Sequence, residues 1–212
     1  MSSRVAIIGY GFVGKAMHKL FPDAVIYDPY IHESDLAKED PNLLGLLEDK
    51  EGINKCDVCF IAVPTPNFKA EKCTDISCLH DDSYIDCPLR GQGRLDTSIV
   101  EEIISWCECP LIVIRSTVNP GDCDRWIQKY KKHIVMHPEY LGESSAHPYI
   151  ELKTRPWIIL GGDKADTRKV IELYQTVYNA NTIIRQVTAL EAEIVKLSEN
   201  RAIAFKVAEC QE

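Results

Sequence analysis

The chain has 212 residues, of which 45% are hydrophobic and 26% charged, fractions typical of globular domains that exclude a disordered or collagen-like chain. The 32 acidic residues outnumber the 24 basic ones, and the net charge of −8 disfavours a nucleic-acid-binding surface. No apolar stretch approaches the roughly 20 residues of a membrane span, and the first residues do not form a secretory signal. We therefore predict a cytoplasmic protein that binds neither nucleic acid nor membrane.

Short apolar runs alternate with stretches of helical periodicity, a pattern typical of βα units around a parallel sheet. The predicted strands are Val5–Ile8, Ala24–Tyr27, Val58–Val63, Leu111–Ile114, Ile134–Met136, Trp157–Leu160 and Thr182–Arg185. The predicted helices cover residues 12–20, 42–48, 96–106, 122–132 and 164–178. This alternation predicts an α/β fold, a Rossmann-type doubly wound parallel sheet.

Two stretches fall outside this alternation. Residues 67–94 have no clear periodicity, and we predict a loop or insertion there. After residue 187, Thr188 and Glu191 have the spacing of a capping box, and an uninterrupted helical pattern follows to the last residue. Neither glycine nor proline closes this helix, which suggests either a missing continuation or a very short helical tail.

A glycine-rich loop, Gly9-Tyr10-Gly11-Phe12-Val13-Gly14, joins the first predicted strand to the first predicted helix. In such a loop Gly9 permits the tight turn, and Gly11 lets backbone amides approach a pyrophosphate. Gly14 allows the helix to pack closely against the strand. The loop therefore predicts a dinucleotide-binding site.

The residues that flank this loop indicate which dinucleotide it binds. The backbone at Phe12 and Val13 begins the helix, whose N–H groups and dipole favour phosphates. Asp28 ends the second strand, 19 residues after Gly9. A carboxylate there would accept hydrogen bonds from the adenosine ribose hydroxyls and repel a 2′-phosphate, which predicts NAD rather than NADP.

The nine cysteines do not indicate a disulfide framework, because their number is odd and no signal peptide precedes them. Cys56 and Cys59 have CxxC spacing inside a buried-strand pattern, and we interpret them as small core residues rather than a redox pair. A second group lies in a polar stretch: Cys73, Cys78, His80 and Cys87. Its spacing matches no compact zinc motif, so we predict free thiols and no metal site.

Five further motifs follow in chain order. They are FIAVPTP at residues 60–66, LDTSIVE at 95–101, RSTVNPG at 115–121, HPEYLGE at 137–143 and EIVKLSEN at 193–200. In this order they resemble the N-terminal half of the UDP-glucose/GDP-mannose dehydrogenases, whose motifs read VPTP, STVPPG, NPEFLxEG and KLxxN. The resemblance covers nearly the whole chain except residues 67–94.

The resemblance implies an NAD-dependent nucleotide-sugar 6-dehydrogenase, of the UDP-glucose to UDP-glucuronate type, that serves polysaccharide biosynthesis. It assigns residues 1–187 to the NAD-binding domain and residues 188–212 to the start of a central connecting helix. In the relatives this helix carries much of a dimer interface, so a homodimer is expected. The substrate-binding C-terminal domain does not occur in this sequence.

The family oxidises C6 of the sugar twice, through a thiohemiacetal and a thioester on a cysteine. Matched position by position, Glu139 would be the base that assists thioester hydrolysis, and Thr117 would orient the water. Lys196 and Asn200 lie four residues apart on one helix face and would bind the developing oxyanion. The family's GxGFGGxCxPKD-like cysteine motif is missing; Cys210 lies on the predicted helix and is not assigned that role.

Other contacts are implied for the neighbouring loops. Substrate contacts are assigned to Glu143, Tyr140 and Leu141, and further cofactor contacts to Val63, Pro64, Thr65 and Thr117. The sequence departs from the family at three positions: His137 replaces an asparagine, Gly142 replaces a bulkier residue, and Arg115 adds a cation. These departures concern the substrate side and leave the identity of the sugar open.

Two other functions remain open. The helix-borne lysine and asparagine also occur in the β-hydroxyacid dehydrogenases, which need no cysteine, although the VPTP, STV and PEYLGE motifs suit the sugar enzymes better. The chain could also be a catalytically silent NAD-binding module with a regulatory or binding role. Oxidation of a nucleotide-sugar, oxidation of a small 3-hydroxy acid, or NAD binding without turnover would distinguish the three.

Overall fold

A computed structural model describes residues 3–67, 94–141 and 151–210. The predicted loop or insertion of residues 67–94 therefore lies almost wholly outside the described residues. The same is true of Gly142 and Glu143, and of the thiols Cys73, Cys78 and Cys87.

Seven strands form one sheet. They are β1 (Val5–Ile8), β2 (Val25–Tyr27), β3 (Val58–Ile61), β4 (Leu111–Ile114), β5 (Ile134–Met136), β6 (Trp157–Gly161) and β7 (Ile183–Val187). Their order is β2-β1-β3-β4-β5-β6-β7, and every pair is parallel except β5 with β6, which is antiparallel through Met136 and Gly161. The predicted α/β fold is confirmed. The strand order reverses between β1 and β3, where open sheets of this kind bind ligands.

Helices cover both faces of the sheet. They are α1 (Phe12–Leu20), α2 (Glu33–Glu39), α3 (Lys50–Ile53), α4 (Ser98–Trp106), α5 (Asp122–Tyr130), α6 (Lys164–Tyr174) and α7 (Ala189–Glu209). Successive strand residues point to opposite faces, and both faces are buried, since Ile7 and Ile8 belong to different apolar clusters and are at most 1% exposed. Burial on both sides explains why β1, β3, β4 and β5 are continuous apolar runs, whereas the edge strand β7 is mostly exposed.

The predicted helix over residues 42–48 is wrong. Pro41 restricts Asp40 to extended backbone, and only a single 3-10 turn follows, at Pro41–Leu43. Gly45 then adopts a φ of +79°, which a helix does not allow. Leu46 and Leu47 instead run alongside β2, where the Leu46 carbonyl accepts a 2.7 Å hydrogen bond from the Ile26 amide.

The capping box of the last helix is confirmed. The Glu191 carboxylate accepts a 2.7 Å hydrogen bond from the Thr188 amide, and the Thr188 hydroxyl accepts one from the Glu191 amide. The helix then approaches β6 so closely that a Cβ on Gly161 would lie 2.5 Å from that of Ala192. Glycine at 161 is therefore required for α7 to pack on the sheet. Within the described ranges, no helix is long and apolar enough to cross a bilayer.

Candidate active site

The glycine loop crosses the end of β3 at very short range. Gly9 has a φ of +88° and donates a 2.9 Å hydrogen bond to the Tyr27 carbonyl. A Cβ on Gly9 would lie 2.7 Å from the Ala62 carbonyl oxygen, and one on Gly14 would lie 2.0 Å from the Gly9 carbonyl oxygen. Glycine at both positions is therefore a steric requirement of the turn and of the helix packing, as predicted.

The middle glycine has a different environment. A Cβ on Gly11 would meet no atom of the described protein within 4 Å, so its backbone faces open space. Gly11 is the N-cap of α1, whose first turn has neither a side-chain cap nor an acidic residue in the described chain. The amides at this helix end and the positive end of the dipole are thus available to an anion. These features fit the pyrophosphate of a dinucleotide.

Asp28 is tied to the glycine loop at the end of β2. One carboxylate oxygen accepts a 2.9 Å hydrogen bond from the Tyr10 amide, and the other accepts a 3.0 Å bond from the Tyr30 amide. These bonds hold a half-buried carboxylate next to the turn, where the sequence predicted an acid that contacts the adenosine ribose. They also add a function that the sequence did not predict, which is to position the loop itself.

A cavity of about 510 Å³ opens beyond the carboxyl ends of β3 and β4. It is lined by Thr65, Asn67, Arg94, Leu95, Thr117, Asn119, Pro120, Leu197 and Asn200. The Thr65 hydroxyl donates a 2.7 Å hydrogen bond to the Thr117 carbonyl, which joins the VPTP and STV loops. The structure therefore brings three predicted site residues together here: Thr65, Thr117 and Asn200.

The wall of this cavity is fixed by residues that the sequence analysis did not single out. Asn119 pairs with Leu95 through two hydrogen bonds of 2.9 and 3.0 Å. Asp122 accepts hydrogen bonds from the Asn119 amide and the Thr97 hydroxyl, both of 3.1 Å. The LDTSIVE and RSTVNPG motifs include Leu95, Thr97 and Asn119, but the hydrogen bonds between the two segments form only in the folded chain.

Glu139 lies in a buried cluster of ions. It is 6% exposed and forms ion pairs with Arg115 and, at 3.6 Å, with Arg155. One of its oxygens also accepts 2.6 and 2.7 Å hydrogen bonds from the amides of Tyr140 and Leu141. Arg155, which no sequence motif marked, reaches Glu139 from the segment before β6. In this conformation the carboxylate is fully partnered, and its predicted role as a base stays a prediction.

Two departures from the family motifs belong to this cluster. Arg115 is 2% exposed, and its guanidinium also donates a 3.1 Å hydrogen bond to the His137 carbonyl. The His137 ring nitrogen lies 2.6 Å from the Tyr174 hydroxyl. Burial, together with the nearby charges of Arg115 and Arg155, lowers the pKa of His137 well below its usual range. The imidazole is therefore neutral at pH 7 and serves packing and hydrogen bonding.

Lys196 borders the same cluster from α7. Its ammonium lies 5.0 Å from the centre of the Tyr140 ring. Burial lowers the pKa of Lys196 to about 8, with a further contribution from Arg155, although Glu199 opposes the shift. A partly desolvated ammonium is suited to binding a developing oxyanion.

Tyr140 and Leu141, predicted to contact substrate, lie beside Glu139. Tyr140 is 5% exposed, its ring packs edge-on against Trp157, and the Arg155 guanidinium lies 4.9 Å from the ring centre. Its aromatic body is thus part of the protein interior. Leu141 is half-buried and packs against an apolar cluster on the α6 side of the sheet. Their roles toward substrate stay predictions.

Glu193 is a further residue whose role the sequence did not reveal. Its side chain, 0% exposed, accepts a 2.6 Å hydrogen bond from the Gly121 amide and a 2.9 Å bond from the Cys123 amide. A carboxylate of α7 thus caps the N-terminus of α5. This bond fixes α7, and with it Lys196 and Asn200, relative to the sheet.

The fold is shared with several solved oxidoreductases. GDP-mannose dehydrogenase from Pseudomonas aeruginosa aligns with a TM-score of 0.66 and 21% identity over 96% of this chain and 50% of its own. A UDP-glucose dehydrogenase from Pyrobaculum islandicum aligns with a TM-score of 0.65 and 22% identity, over 94% of this chain and 49% of its own. An imine reductase variant from Myxococcus stipitatus, in complex with NAD⁺, aligns with a TM-score of 0.61 and 15% identity, over 100% of this chain and 64% of its own. The chain thus spans about half the length of the two sugar dehydrogenases.

Comparison of sequence families is more specific. No curated protein sequence gives a significant match. Residues 23–180, however, match the NAD binding domain of the UDP-glucose/GDP-mannose dehydrogenases, which confirms NAD as the predicted cofactor. Because this match covers well over half of the 212 residues, the chain belongs to the UDP-glucose/GDP-mannose dehydrogenase family.

Proposed function

We propose that this chain provides the NAD-binding half of a nucleotide-sugar 6-dehydrogenase, with UDP-glucose as the expected substrate and UDP-glucuronate as the product. The observation that carries the proposal is the cavity of about 510 Å³, where Thr65, Thr117 and Asn200 meet beside the glycine loop. A Cβ on Gly9 would lie 3.0 Å from the Val63 side chain, so the VPTP loop and the glycine loop are in contact. NAD at the glycine loop and a sugar in the cavity can therefore meet at the carboxyl edge of the sheet.

The residues of the chain divide the work as follows. Gly9, Gly11, Phe12, Val13 and Gly14 receive the pyrophosphate, and Asp28 binds the adenosine ribose. Bound NAD supplies a hydride acceptor for the sugar alcohol. Val63, Pro64, Thr65 and Thr117 line the nicotinamide side. We assign residues 1–187 to the NAD-binding domain and residues 188–212 to the start of the connecting helix.

Groups on α7 and on the loops after β4 and β5 would act on the substrate. The Lys196 ammonium and the Asn200 amide hold the oxygen on which negative charge develops, which lowers the energy of that state. Thr117 orients water, and Glu139 accepts its proton when the thioester is hydrolysed. Since Glu139 is held by Arg115 and Arg155, this step requires the carboxylate to exchange one of these partners for water. The covalent step needs a thiol from outside this sequence.

The cofactor part is tested by calorimetric titration of the chain with NAD and with NADP. We expect NAD to bind more tightly, and Asp28→Ala to reduce the preference, because the carboxylate that repels a 2′-phosphate is lost. Circular dichroism of the variant controls for loss of the glycine-loop contacts of Asp28. Equal affinities of the native chain for both dinucleotides would contradict the assignment of Asp28.

The substrate part is tested with the complete gene product. We expect NADH to form with UDP-glucose, two molecules for each sugar, and not with a small 3-hydroxy acid. Preferential oxidation of the 3-hydroxy acid would favour a β-hydroxyacid dehydrogenase-like activity. NAD binding without turnover of any of these compounds would favour a silent binding module. Sedimentation of the same protein tests the expected dimer through α7.

A further inference from the structure

Three thiols meet in the core of the described chain. The sulfur atoms of Cys59, Cys107 and Cys109 all lie within 4.8 Å of one another. The three residues are 0%, 0% and 6% exposed, respectively, and none of them forms a disulfide. We refer to them as the thiol cluster.

The cluster is far along the sheet from the nucleotide site. Cys59 is the second residue of β3, and the other two thiols lie in the short connection between α4 and the start of β4. In parallel strands this places the cluster at the amino ends of β3 and β4, whereas the glycine loop and the cavity lie at the carboxyl ends. A ligand of the cluster would therefore support the fold and not take part in the oxidation.

We propose that the thiol cluster binds a thiophilic metal ion, with Zn²⁺ as the expected occupant. Zinc takes thiolates at about 2.3 Å in a tetrahedron, which requires sulfur atoms roughly 3.8 Å apart. The observed limit of 4.8 Å is close to this separation, so small side-chain rotations bring the three sulfurs to bonding distance of one ion. Three thiolates around a dry site favour such an ion over Mg²⁺ or Ca²⁺, which prefer oxygen ligands.

Cys56 is the residue best placed to complete four-coordination. It is 2% exposed, belongs to the same apolar cluster as the three thiols, and stands in CxxC spacing with Cys59. Its thiol is engaged by one long contact of 3.7 Å to the Gly52 carbonyl, which rotation of the side chain can release. CxxC lies within the cysteine spacing typical of structural zinc sites.

The surroundings compensate part of the negative charge that such a site would carry. The Lys132 ammonium donates hydrogen bonds of 2.8 Å to the Ile104 carbonyl and 2.6 Å to the Cys107 carbonyl. Its side chain is 16% exposed, so the cation is held against the loop that bears two of the thiols. Since thiolates are the ligands, metal binding releases protons to the solvent.

The test uses the 212-residue chain, reduced, stripped of metal by a chelator and titrated with Zn²⁺ and with Co²⁺. We expect one ion per chain, intense thiolate-to-cobalt charge-transfer absorption, and a higher unfolding temperature with Zn²⁺. Cys59→Ala and Cys109→Ala are expected to abolish this binding, and Cys56→Ala to weaken it at least tenfold. Cys123→Ala is the matched control: this cysteine is also 0% exposed but lies outside the cluster, so binding should be unchanged.

Three further cysteines, Cys73, Cys78 and Cys87, need their own control, because they lie outside the described residues and could also bind metal. A variant with serine at these three positions is expected to retain the cobalt spectrum. Loss of binding in this variant, or binding that survives both Cys59→Ala and Cys109→Ala, would overturn the proposal. So would the absence of binding to the folded, reduced chain, or a mass lower by two hydrogens that shows a stable disulfide within the cluster. An unchanged affinity of Cys56→Ala would overturn its assignment as the fourth ligand.

Discussion

At the scale of single residues, burial decides what each site group can do. Asp28 and Glu139 are both carboxylates on loops of the carboxyl edge, yet Asp28 is half-buried against backbone amides and Glu139 is enclosed by two guanidinium groups. Lys196 and Asn200 share a helix, but the lysine is partly buried while Asn200 is exposed. Residue type and spacing predicted these side chains; their partners depend on neighbours from distant segments.

The glycine loop gives a sharp contrast between two substitutions. Gly11→Val should leave folding nearly unchanged, because a Cβ there meets open space, but should abolish detectable NAD binding. Gly14→Ala should instead destabilise the fold by about 1–3 kcal/mol, because its Cβ collides with the Gly9 carbonyl. Calorimetric titration and thermal unfolding measure the two effects. Native NAD affinity in the Gly11 variant would contradict the cofactor site.

The lowered pKa of Lys196 predicts a pH-dependent stability. Its pKa is about 8 in the fold against 10.5 ordinarily, so between these pH values the unfolded chain binds more protons and the free energy of unfolding rises with pH. Lys196→Met removes the desolvation free energy of the partly buried Lys196 ammonium from the folded state. We expect it to be more stable than the native chain below pH 8, by on the order of 1–2 kcal/mol, and the difference to vanish near pH 10.5.

Urea unfolding at pH 7 and pH 10.5 measures this difference. The control is Lys206→Met, which removes a lysine from the exposed part of the same helix. A pH-independent effect of Lys196→Met, or the same pH dependence in both variants, would count against the lowered pKa.

At the scale of elements, the sequence predicted most of the fold and much less of the contacts between elements. All seven strands were predicted to within two residues at each end. Strands β1, β3, β4 and β5 are apolar runs buried on both faces, whereas the edge strand β7 is mostly exposed. The missed helices, Glu33–Glu39 and Lys50–Ile53, are short and mostly polar, and their apolar neighbours Leu46 and Leu47 pair with β2 instead. Local patterns did not show the partners of Arg155 and Glu193. The partner of Arg155 lies 16 residues away in the chain, and those of Glu193 lie 70 and 72 residues away.

The cap that joins α7 to α5 predicts a large effect of one buried carboxylate. Glu193→Ala leaves the partly buried amide of Gly121 and the buried amide of Cys123 without their acceptor, and we expect it to lower the free energy of unfolding by about 1–3 kcal/mol. Glu191→Ala, which removes the exposed capping-box carboxylate on the same helix, should lower the free energy of unfolding by less than Glu193→Ala does. Equal costs in urea unfolding would mean that the buried cap adds nothing beyond an ordinary helix end.

At the scale of the whole molecule, the buried ions join two parts of the sheet. Strands β5 and β6 share a single antiparallel pairing, Met136 with Gly161, whereas β6 and β7 pair along five residues. Glu139 follows β5, Arg115 follows β4, and Arg155 precedes β6. The ion pairs of Glu139 therefore connect β5 and β6, where the sheet has the fewest backbone pairings.

Loss of the ion pairs of Glu139 should let β6 and β7 open at a lower free energy than the rest of the sheet. Glu139→Gln leaves the guanidinium of Arg115 buried without its carboxylate, and we expect a loss of about 3–5 kcal/mol. Hydrogen exchange should accelerate first in β6 and β7 and later in β1 to β4. Lys129→Met, which breaks a surface ion pair with Glu101, should lower the free energy of unfolding far less than Glu139→Gln does. An equal increase of the exchange rate in all strands of the Glu139 variant would show that β6 and β7 do not unfold separately from the rest of the sheet.

Helix α7 is anchored near one end, which makes it a lever. The fully buried side chains described on it are Ala189, Ala192 and Glu193, whereas residues 200–206 are exposed. With a rise of about 1.5 Å per residue, a tilt of about 5° around Glu193 moves the backbone at Glu209 by about 2 Å and that at Lys196 by less than about 0.5 Å. A movement of the far end of the helix is thus strongly reduced at Lys196.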